Sequence, residues 1–138
     1  MNNQLELKIN DGGRSRYFKA ESVGDCVTRA IAIASQKDYK EVYDALKALM
    51  GKGNSPRNGV DKKTITKYMN GQGFTWVSKM KVGQGVICHL AKNEVPMKGR
   101  IICSCSHHLV AVVDGVVNDT YDSRREGTRA VYGYWIVK

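Results

Sequence analysis

His108-Leu109-Val110-Ala111-Val112-Val113-Asp114-Gly115-Val116-Val117-Asn118-Asp119-Thr120-Tyr121 reads as two apolar runs joined by a turn pair. Asp-Gly between such runs is a preferred centre for a two-residue type I′ turn, because both positions need positive φ. The spacing predicts a hairpin in which Val113 faces Val116, Val110 faces Asp119 and His108 faces Tyr121. Directly opposed residues share a sheet face, so His108, Val110 and Asp119 fall on one side. His108 and Asp119 are then diagonal neighbours, with Cβ atoms about 7–8 Å apart or somewhat less. An imidazole and a carboxylate can span that gap with one hydrogen bond. The same parity offers a rival pair, His107 with Asn118, on the opposite face. One face is expected to pack on helices, and both pairs cannot point at the same nucleophile. His108 with Asp119 is preferred, since His108 directly abuts the apolar run; the family likeness described below points the same way.

Outward from the hairpin, residues 74–77, 86–90, 100–105 and 131–137 are rich in β-formers and read as strands. The N-terminal half reads as helical. A first helix beginning near Asp25 carries Val27, Ala30, Ile31 and Ala34 at the spacing of a buried stripe. A second carries Tyr39, Val42, Tyr43, Leu46, Leu49 and Met50, with Asp38 and Glu41 as a capping box and Gly51 as the stop. A third is expected over 61–70, with Ile65, Tyr68 and Met69 inward. The glycine-rich loop 51–59 suits a mobile segment near a site, and a short alternating stretch precedes the turn Asn10-Asp11-Gly12-Gly13. Helices followed by antiparallel strands make an α+β domain, here a single one over 1–138.

Cys26 stands out chemically. Gly24-Asp25-Cys26 lies where a loop becomes a helix, and a helix N-terminus favours a thiolate through its dipole and unpaired N–H groups. Gly24 leaves room for a substrate carbonyl, and the Cys26 backbone N–H is a natural oxyanion donor. Against this stands the ordinary fate of a cysteine, a small buried hydrophobe. A downstream His and Asp tip the reading toward a Cys26-His108-Asp119 triad; Cys-His-Asn, with His107 and Asn118, is also chemically competent.

The chain of 138 residues carries 22 Lys and Arg against 13 Asp and Glu, a formal charge of +9. That balance favours acidic partners, an acidic protein or peptide face before nucleic acid. The aromatics Tyr132, Tyr134 and Trp135 near Arg124, Arg125 and Arg129 read as sheet face and solvated loop in preference to a stacking surface for nucleic acid. Four cysteines are too few for a disulfide scaffold, and Cys88-His89, Cys103, Cys105 and His107-His108 lack the ligand spacing of a zinc site. No metal or cofactor is expected. No run approaches the roughly 20 apolar residues of a membrane span, so a cytoplasmic protein is expected.

These features resemble the papain-like fold, in particular small C39-like cysteine peptidases of bacteria and phages. The residues that carry the likeness are Asp25-Cys26, His108-Leu109-Val110-Ala111-Val112 and Asn118-Asp119. The stretch Gly24-Asp25-Cys26-Val27-Thr28-Arg29-Ala30-Ile31, with Tyr39-Lys40-Glu41-Val42-Tyr43, also looks like small phage proteins of this type. The resemblance implies Cys26 heading a central helix packed on a C-terminal twisted antiparallel sheet, and cleavage of an amide or isopeptide bond in the host cytoplasm. Acyl transfer, as in transglutaminase-like relatives, uses a similar set. Papain-like enzymes also place a glutamine shortly before the nucleophile as a side-chain oxyanion donor. The matching position here is Ala20. Ser22 is the nearest substitute, with Gln4 or an asparagine near Asn58 as donors from elsewhere. The competing reading is a non-catalytic papain-fold protein that engages a host protein or nucleic acid.

Overall fold

The computed structural model describes residues 5–18, 24–80, 83, 88–90 and 94–138. Among the described residues three α-helices, α1 (Cys26–Ser35), α2 (Tyr39–Leu49) and α3 (Lys62–Gly71), follow a first strand β1 (Glu6–Ile9). Then come β2 (Thr75–Ser78), β3 (Arg100–Cys105), β4 (His108–Val113), β5 (Val116–Asp119) and β6 (Gly133–Ile136). The architecture is α+β.

The hairpin forms in the expected register, with Val113 on Val116, Val112 on Val117 and Ala111 on Asn118. Asp114 and Gly115 both take positive φ, 48° and 78°, as a type I′ turn requires. The sheet has the order β1-β5-β4-β3-β6-β2. It is mixed, which corrects the purely antiparallel expectation: β1 runs parallel to β5, pairing Leu7 with Val117 and Ile9 with Asp119. The sequence signal there was weak because β1 is an edge strand whose side chains are mostly exposed. Of the expected strand 86–90, residues 86 and 87 lie outside the described residues, and His89 makes an isolated antiparallel bridge to Ala130.

Both faces of the sheet are covered. Ile102, Leu109, Ala111 and Trp135 join Val27, Ile31, Val42, Leu46 and Met69 in a core beneath the helices. Alternate residues Ile101, Cys103, Val110, Val112 and Tyr134 join Leu5, Cys88, Leu90 and Val95 in a second core on the far side. Two-sided burial explains why β4 is an unbroken apolar run. Each fully buried Ile or Leu contributes about 1.5–3 kcal/mol.

Helix ends follow local chemistry. α1 stops at Gln36, whose left-handed φ of 58° lets its N–H close on Ala32 and Ile33 carbonyls. α3 starts on Asp61, whose carboxylate accepts from the Thr64 N–H at 3.2 Å and the Thr64 hydroxyl at 2.6 Å. The capping box expected on α2 does not form, because the Tyr17 hydroxyl takes Asp38 at 2.7 and 2.8 Å. The loop 51–59 contains a short 3₁₀ turn, Pro56–Asn58, capped by Ser55.

Candidate active site

Cys26 is the first residue of α1, and the preceding Asp25 turns away from the usual capping role. Its carboxylate is fully buried and accepts from Arg29 Nε at 2.9 Å, Arg14 Nη1 at 3.1 Å and the Tyr39 hydroxyl at 2.7 Å. With Asp25 engaged below, no side chain from the N-cap position occupies the first N–H groups of α1. Those groups are what an anion at the helix N-terminus would meet.

His108 opens β4 and Asp119 closes β5. The His108 Nε2 and Asp119 Oδ2 atoms are 2.6 Å apart, with both side chains buried. Nε2 is thereby occupied, which leaves Nδ1 as the ring nitrogen free for the Cys26 thiol, and the two groups shift each other's pKa. The ring of Tyr121 lies 5.6 Å from the imidazole, centroid to centroid.

His108 and Asp119 share strand parity with Val110 and Val117, which belong to the far-side core. They nonetheless meet Cys26 and Arg29 of α1, at the end of the hairpin beyond its last ladder pair, Ala111–Asn118. The pairing of His108 with Asp119 follows from the turn register; the side from which they meet Cys26 does not.

The electrostatics follow from these contacts. Burial, the largest influence on Cys26, pushes its thiol up. The hydrogen bonds from His108 and the Leu109 N–H, with the charges of His108 and Arg29, outweigh it, and the net shift is down. Burial likewise opposes protonation of His108, yet Asp119 and Cys26 raise its pKa to about 9. Burial also works against ionised Asp119, but His108, Ser123 and the Thr120 N–H hold it below the ordinary carboxylate value. A thiolate–imidazolium pair is the state these influences favour.

The rival pair is not assembled. His107 sits in the β3–β4 turn, exposed and with φ of 52°. Asn118 accepts from Asn10 Nδ2 at 3.1 Å and donates to the Val116 carbonyl at 2.9 Å. Its amide is committed where His107 does not reach. Ser22, the expected side-chain oxyanion donor, lies outside the described residues, as do Gln4 and Ala20.

Three residues bracing the site went unread in the sequence. Arg29 bridges Asp25 and Asp119 Oδ1, the latter at 2.9 Å, and also reaches the Thr120 hydroxyl at 3.1 Å. Ser123 donates to Asp119 Oδ2 at 2.7 Å, and Tyr39 anchors Asp25. A usable signal existed for Arg29: a lone cation interrupts an apolar helix four residues after an aspartate.

Cys26 and His108 open onto a cleft of about 1070 Å³. Its walls include Val27 and Leu109 near the thiol, Ile65 of α3, and Trp76 and Trp135 of the sheet. Lys62, Asn58 and Asn70 supply polar groups, and the described lining holds no carboxylate. Gly133 is needed for that wall: a Cβ there would come within 2.4 Å of the Trp76 ring and 2.7 Å of the Val77 carbonyl oxygen. The loop 56–59 lines the cleft beside Gly24, whose Cβ position is 3.5–3.6 Å from the backbone of Arg57, Asn58 and Gly59.

Among the described residues no group of three or more His, Cys, Asp or Glu is arranged to hold a metal ion. No helix among them is long and apolar enough to cross a membrane. Comparison with family models, curated proteins and solved structures gives no match.

Proposed function

We propose that this chain is a papain-like thiol hydrolase that cleaves an amide or isopeptide bond of a protein or peptide through Cys26, His108 and Asp119. The observation that carries this reading is the buried His108 Nε2–Asp119 Oδ2 contact of 2.6 Å, with His108 in the same cleft as Cys26, whose thiol it shifts down. It supplies what nucleophilic catalysis needs: an ionisable thiol, a base beside it and a third group that orients the base.

His108 holds the proton released by Cys26, and the thiolate attacks the carbonyl carbon. The resulting oxyanion is met by the Cys26 N–H, with the Asn58 amide as the side-chain donor in the same cleft. His108 then delivers its proton to the leaving nitrogen, the C–N bond breaks, and a thioacyl-enzyme remains. Water, deprotonated by His108, attacks the thioester. The tetrahedral adduct collapses, the C–S bond breaks, the acid is released, and the Cys26 thiolate–His108 imidazolium pair is restored. Asp119 keeps Nε2 protonated throughout and stabilises the imidazolium. The net charge of +9 and the carboxylate-free lining of the cleft support an acidic segment as substrate.

The test is to mix the protein with an N-acyl amino-acid p-nitrophenyl ester and follow nitrophenolate release and intact mass together. The expected result is one acyl group on Cys26 that forms in a burst and then turns over. His108→Ala should slow acylation by about 10²–10⁴. Absence of an adduct at Cys26 would overturn the hydrolase reading. Salt-dependent nucleic-acid binding that survives Cys26→Ala would then favour the binding-protein alternative. Acyl groups passed to an added amine in preference to water would identify a transferase instead.

A further inference from the structure

We propose that Arg29 is a positioning residue of the proposed reaction, holding Asp119 on His108 and the nucleophile helix on strand β5 through one guanidinium. The inference rests on the thiol-hydrolase reading above.

Arg29 lies about one helical turn after Cys26, so its guanidinium anchors the turn that carries the thiol. Its Nε donates to Asp25 at 2.9 Å, and its Nη1 donates to Asp119 Oδ1 at 2.9 Å and to Thr120 Oγ1 at 3.1 Å. Asp119 therefore divides its two oxygens between partners. Oδ1 is fixed by Arg29 and the Thr120 N–H at 2.8 Å, leaving Oδ2 to His108 and Ser123. A carboxylate whose Oδ1 is held by both the Arg29 Nη1 and the Thr120 N–H is restrained from rotating away from the imidazole, and the charged donor makes that restraint the stronger. The groups that face Arg29 are Asp25, with Tyr39 and Arg14 behind it, and Asp119, with His108 and Cys26 beyond it. Within that set the charge of Arg29, after that of His108, also favours the Cys26 thiolate. A thiol site with a buried arginine one turn inside the helix does not depend on the helix dipole alone for that bias.

A structural ion pair would account for the stability of such a bridge but not for any effect on the chemistry. Removing a single partner of a buried pair is strongly destabilising, so conservative replacements are required. Arg29→Lys keeps the charge with a point geometry; Arg29→Gln keeps donors without charge. The measurements are the pH profile of Cys26 alkylation by iodoacetamide and the rate of acylation by the p-nitrophenyl ester, made on protein shown to be folded. In Arg29→Gln the acid limb of alkylation should move up by about one pH unit. In Arg29→Lys the limb should move less, while acylation falls by about tenfold or more. Lys40→Gln, which removes a surface cation outside this network, should change neither. Wild-type profiles in a folded Arg29 variant overturn the proposal, as does a Lys40→Gln variant that reproduces the Arg29 effects. Failure of both Arg29 variants to fold also counts against it, because that assigns Arg29 to the scaffold. Wild-type Cys26 that alkylates no faster than Cys88 would instead defeat the hydrolase reading itself.

Discussion

On the helix side of the sheet, Cys26 sits beside an imidazole that favours its ionised form; on the far side, Cys88 and Cys103 sit among Val110, Val112 and Tyr134. Burial raises the pKa of every one of these thiols. On the far side nothing adequate opposes it, so Cys88 is raised and Cys103 is raised well above its ordinary value. Beside α1, His108, Arg29 and a backbone N–H oppose it and win. Burial alone makes a cysteine inert, whereas burial with directed donors makes it a nucleophile. Cys105 shows that proximity to the cleft is not sufficient. It lines the same cleft and faces His108 across the β3–β4 ladder, yet desolvation outweighs Arg129 and pushes its thiol up to about 11.

The largest expected effect breaks or sharpens this contrast directly. At pH 7 a thiol with a pKa of about 11 is ionised to roughly one part in 10⁴. Limiting iodoacetamide followed by peptide mass spectrometry should therefore label Cys26 at least about 10²-fold faster than Cys105. Cys88 and Cys103 should remain unlabelled over the same interval. Labelling of Cys105 at a comparable rate would show that the cleft, not the pairing with His108, sets reactivity.

Much of this contrast was legible in the sequence. The Asp-Gly turn set the hairpin register, which brought His108 and Asp119 together, and the apolar stripe from Val27 to Ala34 placed Cys26 at a helix start. What stayed hidden has a common physical origin in the second core. A strand buried on both faces shows no alternation, so parity could not tell which side of β4 meets the helices. The parallel edge strand β1 was obscure because it buries little, and the Arg29 bridge because its partners lie 4 and 90 positions away. Oxyanion donors are the least readable part, since they are supplied by loops whose side-chain reach no periodicity encodes.

The next effect is on stability. Cys103 is fully buried among apolar groups, so Cys103→Ser places a hydroxyl where it has no partner and should cost about 1–3 kcal/mol. Cys26→Ser keeps a polar partner in His108 and a rim on the cleft, and should cost less than about 1 kcal/mol. Urea unfolding of the two variants measures both, and equal losses would mean that Cys26 is packed as the far-side thiols are.

The smallest effect lies in pH dependence, and its sign follows from counting protons. Folded His108, raised to about 9, keeps a proton that the unfolded chain releases near 6.5; its stabilisation is full below 6.5 and is lost as pH rises through about 9. Cys26 is shifted the other way. The folded thiol releases its proton at a lower pH than the unfolded chain, which retains it up to about 9.0, so its contribution grows as pH rises toward that value. A thiolate–imidazolium pair takes up no net proton, and the two slopes offset. Wild-type stability should be nearly level between pH 7 and about 9 as far as this pair decides it. Cys26→Ser removes the rising contribution and leaves the falling one, since Asp119 still holds His108 protonated in the fold. That variant should lose on the order of 1 kcal/mol relative to wild type across the interval. Parallel pH curves for the two proteins would show that Cys26 and His108 titrate independently, and the difference between the two faces of the sheet would then be one of burial alone.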